Sequence, residues 1–389
     1  MSDTATPSVV IDVDGLGVLL ATLAELGYET LGPVVRDGAV MPGPVRQVAD
    51  LPVGFRDIQA PGSYQGRRTS GSQVFAWAVG PGSWKAELFP PRQELWRLTP
   101  GTPGTPPELE VAAVPGGAAP LAVVGARPCE LAGLEVLERV LGAAGAGDPR
   151  FEARRRGMFL VVAECGTPAS TCFCTSMGTG PEAGAGYDLA LTEIDDDGGH
   201  RFVVRAGTEA GTAVLARLPG RAATDTDLDA RDEVLAGAAA TMTRRLPADG
   251  LPELLERNLE HPRWDDVAER CLACGNCTLV CPTCFCSDVR DVTTVSGEVV
   301  RHRTWASCFD LGHSYLHGGA VRVSGASRYR QWLTHKLSTW WDQFGTSGCV
   351  GCGRCITWCP VGIDLTEEVA EIARLDGAGG AGGTAEVRA

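Results

Sequence analysis

The residues best suited to chemistry stand in two matching runs. The first is Cys271-Leu-Ala-Cys274-Gly-Asn-Cys277-Thr-Leu-Val-Cys281-Pro282; the second is Cys349-Val-Gly-Cys352-Gly-Arg-Cys355-Ile-Thr-Trp-Cys359-Pro360. Both are spaced C-x2-C-x2-C-x3-C-P, the pattern of ferredoxins that hold a pair of 4Fe–4S cubanes. Three thiolates at x2 intervals wrap one face of a cube, and the fourth cysteine of the run serves the other cluster. On that pattern one cluster takes Cys271, Cys274, Cys277 and Cys359, and the other takes Cys349, Cys352, Cys355 and Cys281. The chemistry implied is the passage of single electrons between two neighbouring centres. Gly275, Gly351 and Gly353 suit loops that turn tightly around sulfur, and Pro282 and Pro360 fix the backbone after the last thiolate. Zinc is the alternative reading. Its sites usually show two separated C-x2-C pairs, whereas each run here has four cysteines and a terminal proline. Disulfides fit less well, because nothing marks the chain for export.

Eleven of the 15 cysteines lie at or after Cys271, so redox chemistry is concentrated in the last third of the chain. The tetrapeptide Thr-Cys-Phe-Cys occurs twice, at 171–174 and 283–286. Cys172, Cys174, Cys284, Cys286 and Cys308, with Cys165 as a further member, are candidates for a third metal or cluster site. The competing reading is that they pack as small hydrophobes around the two clusters. Cys129 follows Pro128 at a helix start, where the dipole would favour a thiolate, but a structural role is the expectation.

The elements that must position these thiols are readable in outline. At 389 residues the chain exceeds one typical domain, and two or three are expected. Residues 14–27 read as an amphipathic helix ended by Gly27. Residues 1–115 as a whole read as a strand-rich α+β region. Thr99 to Pro120, dense in Pro and Gly, reads as a linker. Residues 120–250 read as an α/β region. There Leu121-Ala-Val-Val-Gly125, a helix over about Glu130–Leu141 and Met158-Phe-Leu-Val-Val-Ala163 make a βαβ unit with parallel strands. Tyr187–Ile194 and Arg201–Arg205 are further strands. Residues 260–372 are expected to form a C-terminal α-helical ferredoxin-type domain holding both clusters. Arg328 to Phe344 reads as a helix with Trp332, Leu333, Leu337, Trp340, Trp341 and Phe344 on one apolar face. That stripe is core packing rather than an electron relay on the simpler reading. Residues 375–389, which contain the run Gly377-Ala-Gly-Gly-Ala-Gly-Gly-Thr, read as a flexible tail.

Composition excludes several classes. A net charge of −14 argues against nucleic acid as a partner. No apolar run is long enough to span a bilayer, and Met-Ser-Asp-Thr-Ala-Thr-Pro lacks the features of a secretory signal. Many free thiolates without an export signal point to the reducing cytoplasm. Met177 to Gly186 is glycine-rich but is not a G-x-G-x-x-G between strand and helix. No P-loop or nucleophile motif stands out, and the six histidines show no metal-ligand spacing.

The order of motifs carries a resemblance. Leu51-Pro-Val-Gly-Phe, Pro61-Gly-Ser-Tyr64, Gly80-Pro-Gly-Ser-Trp-Lys85, Phe89-Pro-Pro91, Gly125-Ala-Arg-Pro-Cys-Glu-Leu131 and Cys172-Phe-Cys174 with Tyr187-Asp-Leu189 precede and accompany the two runs. Arg328-Tyr-Arg330 with His335-Lys336 completes the set. Together they resemble the 4Fe–4S dicluster family that contains the beta subunit of sulfhydrogenases (cytoplasmic NiFe hydrogenases) and the A-type subunit of anaerobic sulfite reductase. The resemblance covers about residues 30–365. It implies a non-catalytic electron-transfer subunit of a hetero-oligomeric complex. A flavin-bearing partner would exchange electrons with NAD(P)H, and a NiFe hydrogenase catalytic module of small and large subunits would be the other terminus. A sirohaem sulfite reductase complex is the alternative destination. An autonomous flavin/iron–sulfur oxidoreductase, with a ligand in the middle region, is the reading from a different class.

Overall fold

The aspartate Asp12 starts the first helix, Val13–Glu25, its side chain accepting from the Gly15 N–H at 2.9 Å. Leu16, Leu19, Leu20 and Leu23 recur on one buried face of that helix. The computed structural model describes residues 8–113, 119–142, 147–247 and 249–380. The helix connects β1 (Ser8–Ile11) to β2 (Glu29–Arg36), which turns back as β3 (Ala39–Pro44). β4 (Phe55–Ala60) and β5 (Ser63–Arg68) form a separate hairpin, and β6 (Arg92–Thr99) pairs with β7 (Glu108–Val111). β8 (Leu121–Ala126), the helix Pro128–Leu141 and β9 (Phe159–Ala163) form a βαβ unit with parallel strands. β10 (Leu189–Asp196), β11 (Gly199–Ala206) and the short β12 (Arg221–Ala222) follow.

Eight of these strands make one sheet, in the order β12-β1-β11-β10-β9-β8-β2-β3. Its central strands are apolar at successive positions because both faces are covered. Val124, Phe159 and Val161 pack into a core on one face, and Val123, Leu160 and Val162 into a core on the other. The regions 1–115 and 120–250, separate in the sequence reading, share this sheet. Parallel pairing of Glu29–Leu31 with Leu121–Val123 joins them, a contact too distant along the chain to leave a local sequence signal.

The last third is not wholly helical, which corrects the expectation of an α-helical domain. Its helices Leu251–Arg257, Arg263–Arg270, Gly325–Thr334 and Leu365–Gly380 pack around Trp264, Val267, Leu333, Leu337 and Ile372. Between the cysteine runs, however, lie β13 (Ser287–Thr293) and β14 (Val299–Trp305). They extend the β6–β7 pair into a four-stranded sheet ordered β13-β14-β6-β7. β13 is almost wholly exposed, and β14, which lies inside the sheet, is half-buried along its length.

The helix expected over Arg328–Phe344 is interrupted. An α-helix ends at Thr334, a π turn spans His335–Thr339, and α-helix resumes at Trp340–Phe344. A π turn holds more residues than an α turn, so the positions after it are rotated. Trp332, Leu333, Leu337 and Trp340 are buried as expected, but Trp341 is 49% exposed. The C-terminal helix runs to Gly380, into the segment read as tail; residues 381–389 lie outside the described residues, as do 1–7. The linker Thr99–Pro120 contains β7, and its residues 114–118 lie outside the described set.

Candidate iron–sulfur site

Cys271, Cys274, Cys277 and Cys359 stand around one small cavity, which Cys355 also lines, bordered by Phe309, Tyr329, Trp332 and Ile363. The first three come from the loop after helix Arg263–Arg270, and Cys359 arrives from the end of the second run. Backbone amides already point at two of these sulfurs: Ala273 N–H donates to Cys271 Sγ at 3.4 Å and Ile363 N–H to Cys359 Sγ at 3.3 Å. Cys274 is exposed, and Leu272 beside it is 64% exposed, so this set sits at the protein surface.

Cys281, Cys349, Cys352 and Cys355 form the second set, each thiol within electrostatic reach of others in the group. Gly351 N–H donates to Cys349 Sγ at 3.4 Å, matching the amide contact in the first loop. This set is interior: Cys281, Cys349 and Cys352 are each at most 9% exposed. Burial pushes the Cys349 thiol up to about 12 and that of Cys355 well above its ordinary value. Binding as thiolates would therefore release protons as iron enters. Cys281 is the exception. The Cys284 S–H and the buried Lys336 ammonium hold its thiol well below the usual range.

The walls of the second set are the motifs that precede the cysteine runs. Arg354 is 1% exposed; it donates through Nε to Gly80 O at 2.8 Å and through Nη2 to Gly82 O at 3.0 Å, and pairs with Glu130. Glu130 also accepts from Arg127 N–H at 3.0 Å and Trp84 Nε1 at 3.1 Å. Arg127 is fixed in turn by carbonyls of Phe75, Trp77, Ala163 and Glu164. At the tip of the β4–β5 hairpin, Gly62 N–H donates to Ile356 O at 3.1 Å. A side chain there would meet Cys359 O at 3.1 Å, so the close approach requires glycine. Tyr64 stacks on Trp358 with ring centroids 5.1 Å apart.

A family model described as a 4Fe–4S dicluster domain matches residues 270–363. The chain is also 32% identical over 251 residues to sulfhydrogenase 2 subunit beta of Pyrococcus furiosus, a match covering 64% of this chain and 72% of that protein. The chain belongs to the sulfhydrogenase beta-subunit family. It is an iron–sulfur protein with a C-terminal ferredoxin-type domain on a mixed α/β body. No solved structure matches it. Among the described residues, no helix is long and apolar enough to cross a membrane.

The side chains of this beta-subunit relative fit cubane clusters better than single ions. Among the described residues no three His, Cys, Asp or Glu side chains converge on one point as a single metal ion demands. The thiols of the first set instead surround a volume. Two buried donors, Tyr329 Oη and Trp332 Nε1, have no hydrogen-bond partner among the described residues, and both residues line that same cavity. Cluster sulfurs would supply acceptors for both, a recognised lever on iron–sulfur potential. Sequence reasoning placed Trp332 in the core but gave Tyr329, Lys85, Lys336, Glu130 and Arg354 no role. Their presence in the shared motif set was the available signal.

The additional cysteines divide. Cys172 and Cys174, with Cys165 and Cys129 nearby, approach Cys352, while Cys284 lies beside Cys281 and Cys286 beside Cys308, all as free thiols. The two Thr-Cys-Phe-Cys segments thus touch different members of the second set. The first segment clamps a cysteine loop through its backbone: Phe173 N–H donates to Gly351 O at 2.9 Å, and Thr171 Oγ1 and Thr357 Oγ1 are 2.7 Å apart. Gly351 has φ +63°, and a Cβ there would lie 2.6 Å from the Cys174 backbone. Gly351→Ala is expected to cost about 1–3 kcal/mol. A lowered thermal unfolding midpoint of the anaerobic holoprotein would show it; an unchanged midpoint would mean the clamp relaxes freely.

Proposed function

We propose that this subunit holds two 4Fe–4S clusters, one on Cys271, Cys274, Cys277 and Cys359 and one on Cys281, Cys349, Cys352 and Cys355. It relays single electrons between a flavin-bearing, NAD(P)H-oxidising partner and a NiFe hydrogenase catalytic module in the cytoplasm. The observation that carries this reading is the arrangement of two interleaved thiol sets, one at the surface and one in the interior. The clusters supply one-electron chemistry. The chain's own residues fix their separation, keep water from the inner set through Ile356, Trp340 and Val350, and leave Cys274 as the point of electron entry or exit. The family relationship supports a hydrogenase complex, and the name of the relative supplies the beta-subunit role. Anaerobic purification should give about eight irons per chain, two cubanes of four. A colourless protein with fewer than about four would sink the proposal.

The apolar rim at Leu272 and Val361 beside Cys274 suits an electron-transfer partner. Leu272→Glu is expected to slow reduction of the protein by its flavin-bearing partner about tenfold, the weight of about 1.4 kcal/mol at an interface. Iron content should stay unchanged. Stopped-flow reduction measures the rate, and an unaltered rate places the contact elsewhere.

A second reading rests on a cavity of about 380 Å³ between helix Pro128–Leu141 and the π turn. It is bordered by Arg139, Ser176, Thr179, Trp341 and Cys349. A flavin or small substrate there would make the chain an oxidoreductase in its own right. Flavin in an acid extract, with NAD(P)H-dependent dye reduction by the isolated chain, would favour it. Native mass spectrometry of the complex separates hydrogenase from sulfite reductase as the terminal partner.

A further inference from the structure

Two lysine side chains are buried against the inner thiol set. Lys336, 3% exposed, places Nζ 3.3 Å from Cys281 Sγ, 3.1 Å from Thr283 Oγ1 and 2.9 Å from Gly348 O. Thr283 passes its own hydroxyl proton to Gly348 O at 2.6 Å, so all three neighbours accept and the three N–H bonds of an ammonium are used. Lys85, 2% exposed, donates to Cys284 O at 3.1 Å and Leu279 O at 3.4 Å, and lies 3.9 Å over the Trp305 ring.

Neither lysine is paired with a carboxylate among the described residues; their potential anionic neighbours are the thiols of Cys281, Cys284, Cys286 and Cys349. Two buried cations without counter-charge are costly unless an anion balances them. The thiolates of the inner set, with the cluster they would hold, are that anion. The π turn His335–Thr339 is what presents Lys336, and such turns are common at functional sites.

The surface set is surrounded differently. The cations that act on it are Arg328, partly exposed, and Arg270, tied to the Glu368 carboxylate at 2.7 Å. Its orphaned donors, Tyr329 Oη and Trp332 Nε1, are neutral. Reduction adds one negative charge to a cluster and its thiolates. Burial alone would oppose that charge at the inner set, but the Lys336 ammonium 3.3 Å from Cys281 Sγ, supported by Lys85 on the adjoining Cys284 carbonyl, favours it in a low-dielectric interior.

We propose, on the ligand assignment given above, that Lys336 and Lys85 set the order of the two reduction potentials. The cluster on Cys281, Cys349, Cys352 and Cys355 is the more readily reduced. An electron delivered at the Cys274 surface by a reduced flavin or iron–sulfur donor oxidises that donor by one electron and comes to rest inside. The surface cluster returns to its oxidised state as the inner one is reduced. The lysines act as positioning and tuning groups, touching ligands rather than iron.

The test is an anaerobic redox titration of the full-length protein followed by electron paramagnetic resonance. Two midpoints are expected in the native protein. In Lys336→Met the higher one should fall by at least ~59 mV, a tenfold change in the reduced-to-oxidised ratio of a one-electron couple, and the lower should stay in place. Lys336→Arg should restore most of the shift. Lys85→Met should move the same midpoint in the same direction, and it decides the question if Lys336→Met fails to retain its iron. Movement of the lower midpoint, or of neither, in a variant with full iron overturns the proposal. A native protein with only one cluster overturns the ligand assignment instead.

Discussion

Cys281→Ser will remove the same cluster signal as Cys352→Ser, although Cys281 belongs to the other cysteine run. Each variant should drop from about eight irons to about four, while Cys359→Ser should remove the other signal. Serine oxygen is a hard ligand and a poor replacement for thiolate on an iron–sulfur cluster. The fourth thiol of each run lies with the opposite three. Cys359 lines the cavity of Cys271, Cys274 and Cys277, which Cys355 of the second set also borders, and Cys281 is a neighbour of Cys349, Cys352 and Cys355. Loss of the inner cluster should also stop transfer through the protein, because the surface cluster then has no successor. Iron and sulfide analysis with electron paramagnetic resonance checks all three variants. If Cys281→Ser and Cys271→Ser abolish the same signal, each run holds its own cluster and the interleaved assignment fails.

Glu130→Ala should be strongly destabilising. The carboxylate, 6% exposed, compensates the Arg354 guanidinium, itself 1% exposed, and also accepts from Arg127 N–H and Trp84 Nε1. Removing it strands a buried cation and two buried donors at once. Breaking one partner of a buried ion pair costs about 3–5 kcal/mol. The thermal midpoint of the anaerobic holoprotein should fall by several degrees, and Glu130→Gln should recover part of the loss through its amide oxygen. A change below about 1 kcal/mol would show that Cys352, which Arg354 also faces, compensates the charge unaided.

How far the site was legible follows from the distances involved. Each proposed set draws three of its cysteines from seven consecutive residues, so spacing alone proposes them, and the crossover of the fourth is what the ferredoxin pattern implies. The βαβ unit was equally visible, since β8 and β9 are unbroken apolar runs around an amphipathic helix. The pairing of β14 with β6 was not. Val299 meets Leu98 across some two hundred residues, and nothing in the local sequence of β13 and β14 names that partner. The π turn is equally silent. No residue type marks it, and a 3.6-residue period drawn through His335–Thr339 turns Trp341 inward when it faces solvent. The lysines beside Cys281 were hidden for a related reason. Lys85 and Lys336 are 251 positions apart and look like ordinary surface residues until the fold brings them together.

The four-stranded sheet bears on how separable the ferredoxin unit is. Two of its strands lie between the cysteine runs, and the other two belong to the first 111 residues. A fragment cut at residue 260 would keep all eight proposed ligands yet leave β14 with an unpaired edge, open to another chain. It would also lose Lys85, Glu130 and the hairpin tip at Gly62. The module is therefore not portable. Unlike a small ferredoxin that can be shuffled between proteins as a cassette, this one is sewn into its host, and its inheritance should follow the whole polypeptide.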